Sequence, residues 1–200
     1  MKTTTNKPVS MFGRSCQSPF GKWRGLLILS RLLLIAPVTL HAANPAYQYT
    51  ANTGGGTTTD GAGTWSTSGA ANWRLNNAGA AVNWGNSPVW DATIGAGGAG
   101  GTITPNTSLT VGNITFPTVT SPYTIAAGGT ITLSGTPTIT VNNSGGATIT
   151  APLSGSFNVS GSGALTLNAA SKLGGTSTLT INSSATVSDP NGSQIGRAHV

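Results

Sequence analysis

From about Gly101 onward the chain repeats one short pattern, and that pattern narrows the folds open to it. "GTITP", "SLTVGNITF", "YTIAAGGTITLSG", "TPTITVNNSGG", "ATITAPLSGS", "FNVSGSG", "ALTLNAA" and "STLTINSSATV" are alternating runs, each bounded by Gly, Asn, Ser or Pro. Strict alternation of apolar and polar residues is the period of a half-buried strand. Ile131/Leu133, Ile139/Val141, Ala147/Ile149, Phe157/Val159 and Leu165/Leu167 each place two residues on one face, and successive pairs begin 8, 8, 10 and 8 residues apart. Threonine suits the opposite face, because its β-branched side chain favours strands and stays hydrated without a charge.

Short strands at this spacing fit a solenoid or a sandwich. A sandwich commonly uses strands of about 5–6 residues and aromatic residues in its core. Here the turns are rich in Gly and Asn, and after Asp91 the only aromatic residues are Phe116, Tyr123 and Phe157. A solenoid needs no more than a narrow stack of Ile, Leu, Val and Ala on each rung, with Gly and Asn at the corners where φ turns positive. The expected fold is therefore all-β, a right-handed parallel β-solenoid over 101–194, with a β-sandwich as the alternative. The regular apolar pairs argue against disorder, since they supply burial that a disordered tract lacks.

Residues 43–100 differ in kind. They hold Tyr47, Tyr49, Trp65, Trp73, Trp84 and Trp90, which include all four tryptophans of the 43–194 body. A solenoid end presents unpaired backbone and an apolar cross-section, so it requires a cap. Rings that bury about 150–250 Å² each suit an N-terminal cap over 43–100. The same four tryptophans carry a second reading, in which some of them stack on sugar rings. Buried cap rings and exposed sugar platforms look identical in sequence, although aromatic residues more often fill cores.

The formal charge of +6 invites a nucleic-acid reading that its distribution removes. Lys2, Lys7, Arg14, Lys22, Arg24 and Arg31 lie in the first 31 residues, while 43–194 carries Arg74 and Lys172 against Asp60, Asp91 and Asp189. Binding to phosphates needs clustered cations, so no nucleic-acid partner is expected. His41, His199 and Cys16 are the only residues of their types and all lie outside the body. Acid–base catalysis by histidine, a nucleophilic triad or a zinc site therefore has no groups to work with there. The dispersed aspartates form no calcium loop. No catalytic residue, metal site or cofactor is expected, and an enzyme is the disfavoured class. "GAGGAGG" at 95–101 lacks the lysine and following helix of a phosphate loop and reads as a flexible turn. Arg74 beside Trp73 reads as a solvated charge rather than a cation–π partner. Asn106, Asn113, Asn142 and Asn158 match glycosylation acceptor patterns that the abundance of Asn, Ser and Thr explains by chance.

Residues 1–42 read as a signal peptide: a basic start, an apolar run from Leu26 to Leu40, and small residues after it. Cleavage is expected after Ala42, or after Ala43, with Met1 or Met11 as the start. Arg31 and Pro37 inside a 15-residue run make a poor permanent span. At the other end, "IGRAHV" (195–200) matches, codon for codon, the translation of a common sequencing adapter. The natural frame is thus expected to be lost near Gln194, against the alternative of a genuine polar C-terminus.

Three stretches carry a resemblance to a known family: "TWSTSGAANW", "VNWGNSPVWDATIG" with "AGGTITPNTSLTVGNITF", and "ITAPLSGSFNVSGSGALTLNAASKLGGTSTLTINSSATV". Over about 60–190 the chain resembles the N-terminal region of bacterial proteins with autotransporter-associated β-strand repeats. It departs from them at "LNAASKLGGT", where the family repeat has Asn-Thr-Tyr-x-Gly. The resemblance implies an exported β-solenoid, located at the cell surface, in the outer membrane or outside the cell, and attached to a membrane only through a C-terminal region not among these 200 residues. The expected function is a structural or adhesin-like passenger without catalytic activity, its partners polysaccharide or cell-surface and matrix components. The alternative is a carbohydrate-binding module using Trp65, Trp73, Trp84 and Trp90. A polysaccharide-degrading β-helix is disfavoured, because glycoside hydrolysis usually needs paired carboxylates.

Overall fold

The computed structural model describes residues 43–118, 121–167, 178–181 and 186–188. The leader and its cleavage site, Cys16, His41, Lys172, Asp189 and the 195–200 tail lie outside these residues. Among the described residues there are fifteen strands and no helix.

Alternation and turn residues form short strands, and the strands stack coil upon coil. The lead-in supplies β1 (Ala46–Tyr49), β2 (Gly63–Trp65), β3 (Trp73–Leu75) and β4 (Trp90–Thr93). The next coil is made by β5 (Gly101–Pro105) and the long β6 (Leu109–Phe116). It is followed by β7 (Tyr123–Ile125), β8 (Ile131–Leu133) and β9 (Thr138–Val141), then by β10 (Ala147–Ile149), β11 (Leu153–Ser154) and β12 (Phe157–Ser160). β13 (Ala164–Leu167), β14 (Leu179–Ile181) and β15 (Thr186–Ser188) complete the set.

Three columns of parallel strands result. The first runs β2, β5, β7, β10, β13, β15. The second contains the first half of β6, then β8 and β11. The third runs β4, the second half of β6, β9, β12 and β14. Because β6 crosses the corner unbroken, its two halves join the second and third columns into one sheet. The chain is a β-solenoid of about four turns, and side chains that meet between coils are typically 22 residues apart in sequence. The β-sandwich alternative does not form. Strands pair in parallel with the coil above and below, and among the described residues antiparallel pairing is confined to the lead-in, where β3 runs against β1 and Trp73 bridges Val82.

Inward positions stack like on like. Ile103, Ile125, Ile149 and Leu167 are in register in the first column. Leu109, Ile131 and Leu153 are in register in the second, and Ile114, Ile139 and Val159 in the third. All are buried, and each fully buried aliphatic side chain is worth about 1.5–3 kcal/mol over exposure. Outward positions form hydroxyl ladders: Thr102, Thr124, Thr148, Thr166 and Ser188; Thr110, Thr132 and Ser154; Thr115, Thr140 and Ser160. Hydroxyls meet across the ladders at 3.0 Å (Thr140–Ser160) and 3.1 Å (Ser154 to Thr132, Thr166–Ser188). At one corner Gly161 adopts φ 100° with the Val141 carbonyl packed where a Cβ would project, so both backbone sign and space call for glycine.

The lead-in is not a separate lid. β2 and β4 already belong to the first and third columns, so the 43–100 segment contributes strands as well as covering the end. The near edge of the second column is closed by two side chains. Asn86 donates through Nδ2 to the Ser108 carbonyl (3.2 Å) and accepts from the Thr110 amide through Oδ1 (2.9 Å). Trp84 Nε1 donates to the Thr110 carbonyl at 3.0 Å. The amide of Asn86 thus takes the place of a peptide group from a strand that is not there.

Truncating a stacked inward residue should cost far more than altering its outward neighbour. Ile125→Ala is expected to lose about 2–5 kcal/mol of unfolding free energy, and Thr124→Val to change it by no more than about 0.5 kcal/mol. Urea denaturation followed by circular dichroism checks both, and equal costs would contradict the assigned faces.

Candidate functional site

The candidate site residues, Trp65, Trp73, Trp84 and Trp90, are brought together by four short strands and the loops between them. Trp65 ends β2, Trp73 begins β3 and Trp90 begins β4, while Trp84 lies in the loop between β3 and β4. Trp84 is the centre of the cluster. Its ring lies 4.6 Å from Trp73, 5.0 Å from Trp65 and 5.3 Å from Trp90 by centroids, each pair edge to face. Trp65 and Trp73 meet at 4.6 Å, Tyr49 meets Trp73 edge-on at 5.6 Å, and Tyr47 stacks on Trp90 at 3.7 Å. Except for the closer Tyr47–Trp90 stack, these are the separations at which aromatic quadrupoles favour offset and T-shaped contacts.

Burial decides what the rings can do. Trp65 and Trp73 are 0% exposed and Trp84 2%. Neighbouring rings cover them, edge to face or tilted, so no sugar can stack on them in this fold, and the glycan platform read from these three is corrected to a packed cap. Trp90 is half-buried, with one face taken by Tyr47; a methyl group at Gly85 would stand 2.5 Å from its Cζ2. The cluster also leaves Trp65 Nε1, Trp73 Nε1 and the Tyr49 hydroxyl buried without a hydrogen-bond partner. Each such group costs about 1–3 kcal/mol, which the aromatic burial must outweigh.

Arg74 is the second correction. It is 1% exposed rather than solvated, and its guanidinium donates to the carbonyls of Gly79, Gly54 and Asn52. It ties the 52–54 and 76–80 loops together over the end of the coil, with carbonyl oxygens in place of a carboxylate.

Asp60 had no assigned role in the sequence and proves to be an organising residue. Its Oδ1 accepts from the Ala96 amide (2.7 Å) and the Tyr123 hydroxyl, and its Oδ2 from the Gly98 amide. The glycine-rich 95–101 turn is therefore tied to a carboxylate through two of its amides. Two of the amides that a phosphate loop would offer to an anion are already occupied. A lone acid in a nearly uncharged tract was the signal available in the sequence, since a charge retained there needs partners.

Burial pushes the Tyr49 hydroxyl up to about 12, and the Asp60 charge adds to the rise. The Tyr123 hydroxyl is raised by burial first, then by its hydrogen bond to Asp60 and by that charge, against a smaller opposing effect from the Gly61 backbone. One raised phenol thus lies in the lead-in, at Tyr49, and the other in β7, at Tyr123, where it meets Asp60 of the lead-in. Among the described residues no group of three or more His, Cys, Asp or Glu could hold a metal ion.

No protein-family model matches the chain, and searches of curated proteins and of solved structures returned no match.

Two outcomes follow from the packing. Trp73→Ala should cost about 3–5 kcal/mol, and the parent protein's tryptophan emission should be blue-shifted and poorly quenched by acrylamide; solvent-like emission would contradict the packed cap. The raised phenols set an alkaline limit. Stability from a neutral Tyr49 is fully present below its unfolded value of about 10 and is lost as pH rises through about 12. Tyr49→Phe should leave neutral-pH stability unchanged or higher, because the hydroxyl has no partner to lose, and should flatten the alkaline decline in urea midpoint.

Proposed function

We propose that this chain is an exported, surface-displayed passenger: a structural or adhesin-like β-solenoid without catalytic activity, of the autotransporter-associated β-strand repeat type. The observation that carries this reading is the pairing of stacked aliphatic interiors with uncharged hydroxyl ladders on successive coils. Such a stack extends by about 4.8 Å per coil, so length, and with it reach, grows by simple repetition. The charged side chains near the start serve internal ends: Asp60 holds a turn and Arg74 holds loop carbonyls. The leader pattern of 1–42 supports export, and the hydroxyl and amide surface suits polysaccharide or matrix components as partners. The alternative, a sugar-binding module built on the four tryptophans, is weakened by the burial of three of them.

A reporter enzyme active only outside the cytoplasm, fused after Pro45, tests the reading. The expected result is activity, with the mature product beginning near Ala43. An inactive reporter, or exported protein that retains Met1 or Met11, would refute it.

A further inference from the structure

A groove of about 580 Å³ lies on the shoulder where the second column turns into the third, and none of the four tryptophans lines it. Its floor is Asp91, Gly112 and Asn113, and its far wall is the 134–137 turn between β8 and β9. The Asp91 carboxylate is held in one orientation by three amide N–H groups. Oδ1 accepts from Asn44 Nδ2 and from the Asn113 backbone, and Oδ2 accepts from Asn113 Nδ2, each at 2.9 Å. Asn113 is itself fixed, because its Oδ1 accepts from the Thr138 amide at 2.8 Å. Gly112 makes room for this arrangement: a methyl group there would collide with Asp91 Oδ1 and Asn44 Nδ2.

The chemistry of the groove selects its occupant. An ionised carboxylate offers about four acceptor sites, and three are filled, which leaves acceptor capacity on Oδ2. No Lys or Arg lines the groove, so an anion would meet a negative charge with no compensation. A calcium ion prefers six to eight oxygens with several carboxylates, and Asp91 is the single acid present. An uncharged polyol meets neither obstacle. Its hydroxyls can donate to Asp91 in a charge-assisted bond and exchange bonds with the Ser134 and Thr136 hydroxyls, while its C–H faces lie along Val89 and Pro137. The volume falls within the usual range for small-ligand sites, about 300–1,000 Å³, and the groove is open to solvent, so a segment of a longer chain can reach it.

We propose that the Asp91 groove binds a neutral oligosaccharide segment, with Asp91 as the hydroxyl acceptor. This names the partner class of the passenger and does not depend on its export. The test is calorimetric titration of the full chain with neutral hexamers of glucose, mannose, xylose and N-acetylglucosamine, with a galacturonate hexamer as the acidic counter-probe. At least one neutral hexamer should bind. Thr136→Arg, an exposed position on the wall, should fill the groove and weaken binding by about tenfold or more, the effect of losing one hydrogen bond to a charge. Thr124→Val in the first column should leave binding as it was, and circular dichroism should find both variants folded. Absence of binding by every neutral hexamer, preference for the acidic one, loss of binding on adding a chelator, or indifference to Thr136→Arg would each overturn the proposal. Reporter export without sugar binding would remove this site and leave the passenger reading intact.

Discussion

Every strand in this protein depends on the coil beside it. A three- or four-residue strand cannot satisfy its own backbone or bury its own side chains. Parallel pairing with the next coil does both at once: it fills the ladder and sets Ile103 against Ile125 and Ile125 against Ile149. The energetics are those of nearest neighbours. A coil is held by the coils above and below, and the buried side chains of successive coils join into one continuous apolar column.

That dependence explains why the unusual residues gather at one end. The first coil has no predecessor, so its edge must be met by other means. In the third column β1 adds in parallel and β3 then runs antiparallel, with Val82 bridged to Trp73 beyond it. In the second column the side chains of Asn86 and Trp84 satisfy the edge of β6. The aromatic cluster covers the aliphatic cross-section, and Arg74 binds the loops above it through their carbonyls. Packed rings, a buried guanidinium and unpartnered indole N–H groups all arise where repetition cannot supply a neighbour.

The inward faces were legible in the sequence because period two is a local property. Ile131 and Leu133, Ile139 and Val141, and Leu165 and Leu167 are all buried, and "STLTINSSATV" contains β14 and the first two residues of β15. The aromatic character of the end was legible too, since large rings stand out in a tract of small residues. The number of strands per coil was not, because local alternation carries no record of which strand returns beside which. Asp60, Asp91 and Arg74 escaped for a related reason. Each acts across tens of residues, as when Asp60 meets Tyr123 or Asp91 meets Asn44, and spacing along the chain does not announce such contacts. Arg74 shows the limit most clearly, since a lone cation between Trp73 and Leu75 reads as hydrated until the loops around it are in place.

The spacing of partners also sets the order in which the molecule can assemble. Once a coil exists, the next strand finds its place after closing a loop of about 22 residues, and the entropy of closure grows only slowly with length. The lead-in is different: Asn44 must find Asp91 across 47 residues, and Asp60 must find Tyr123 across 63. Docking the aromatic end thus closes longer loops than any later coil does, at an added entropic cost of only about 1 kcal/mol. The antiparallel β3 ends the third column in a different way from every later coil, since it puts an antiparallel strand where the next parallel one would pair.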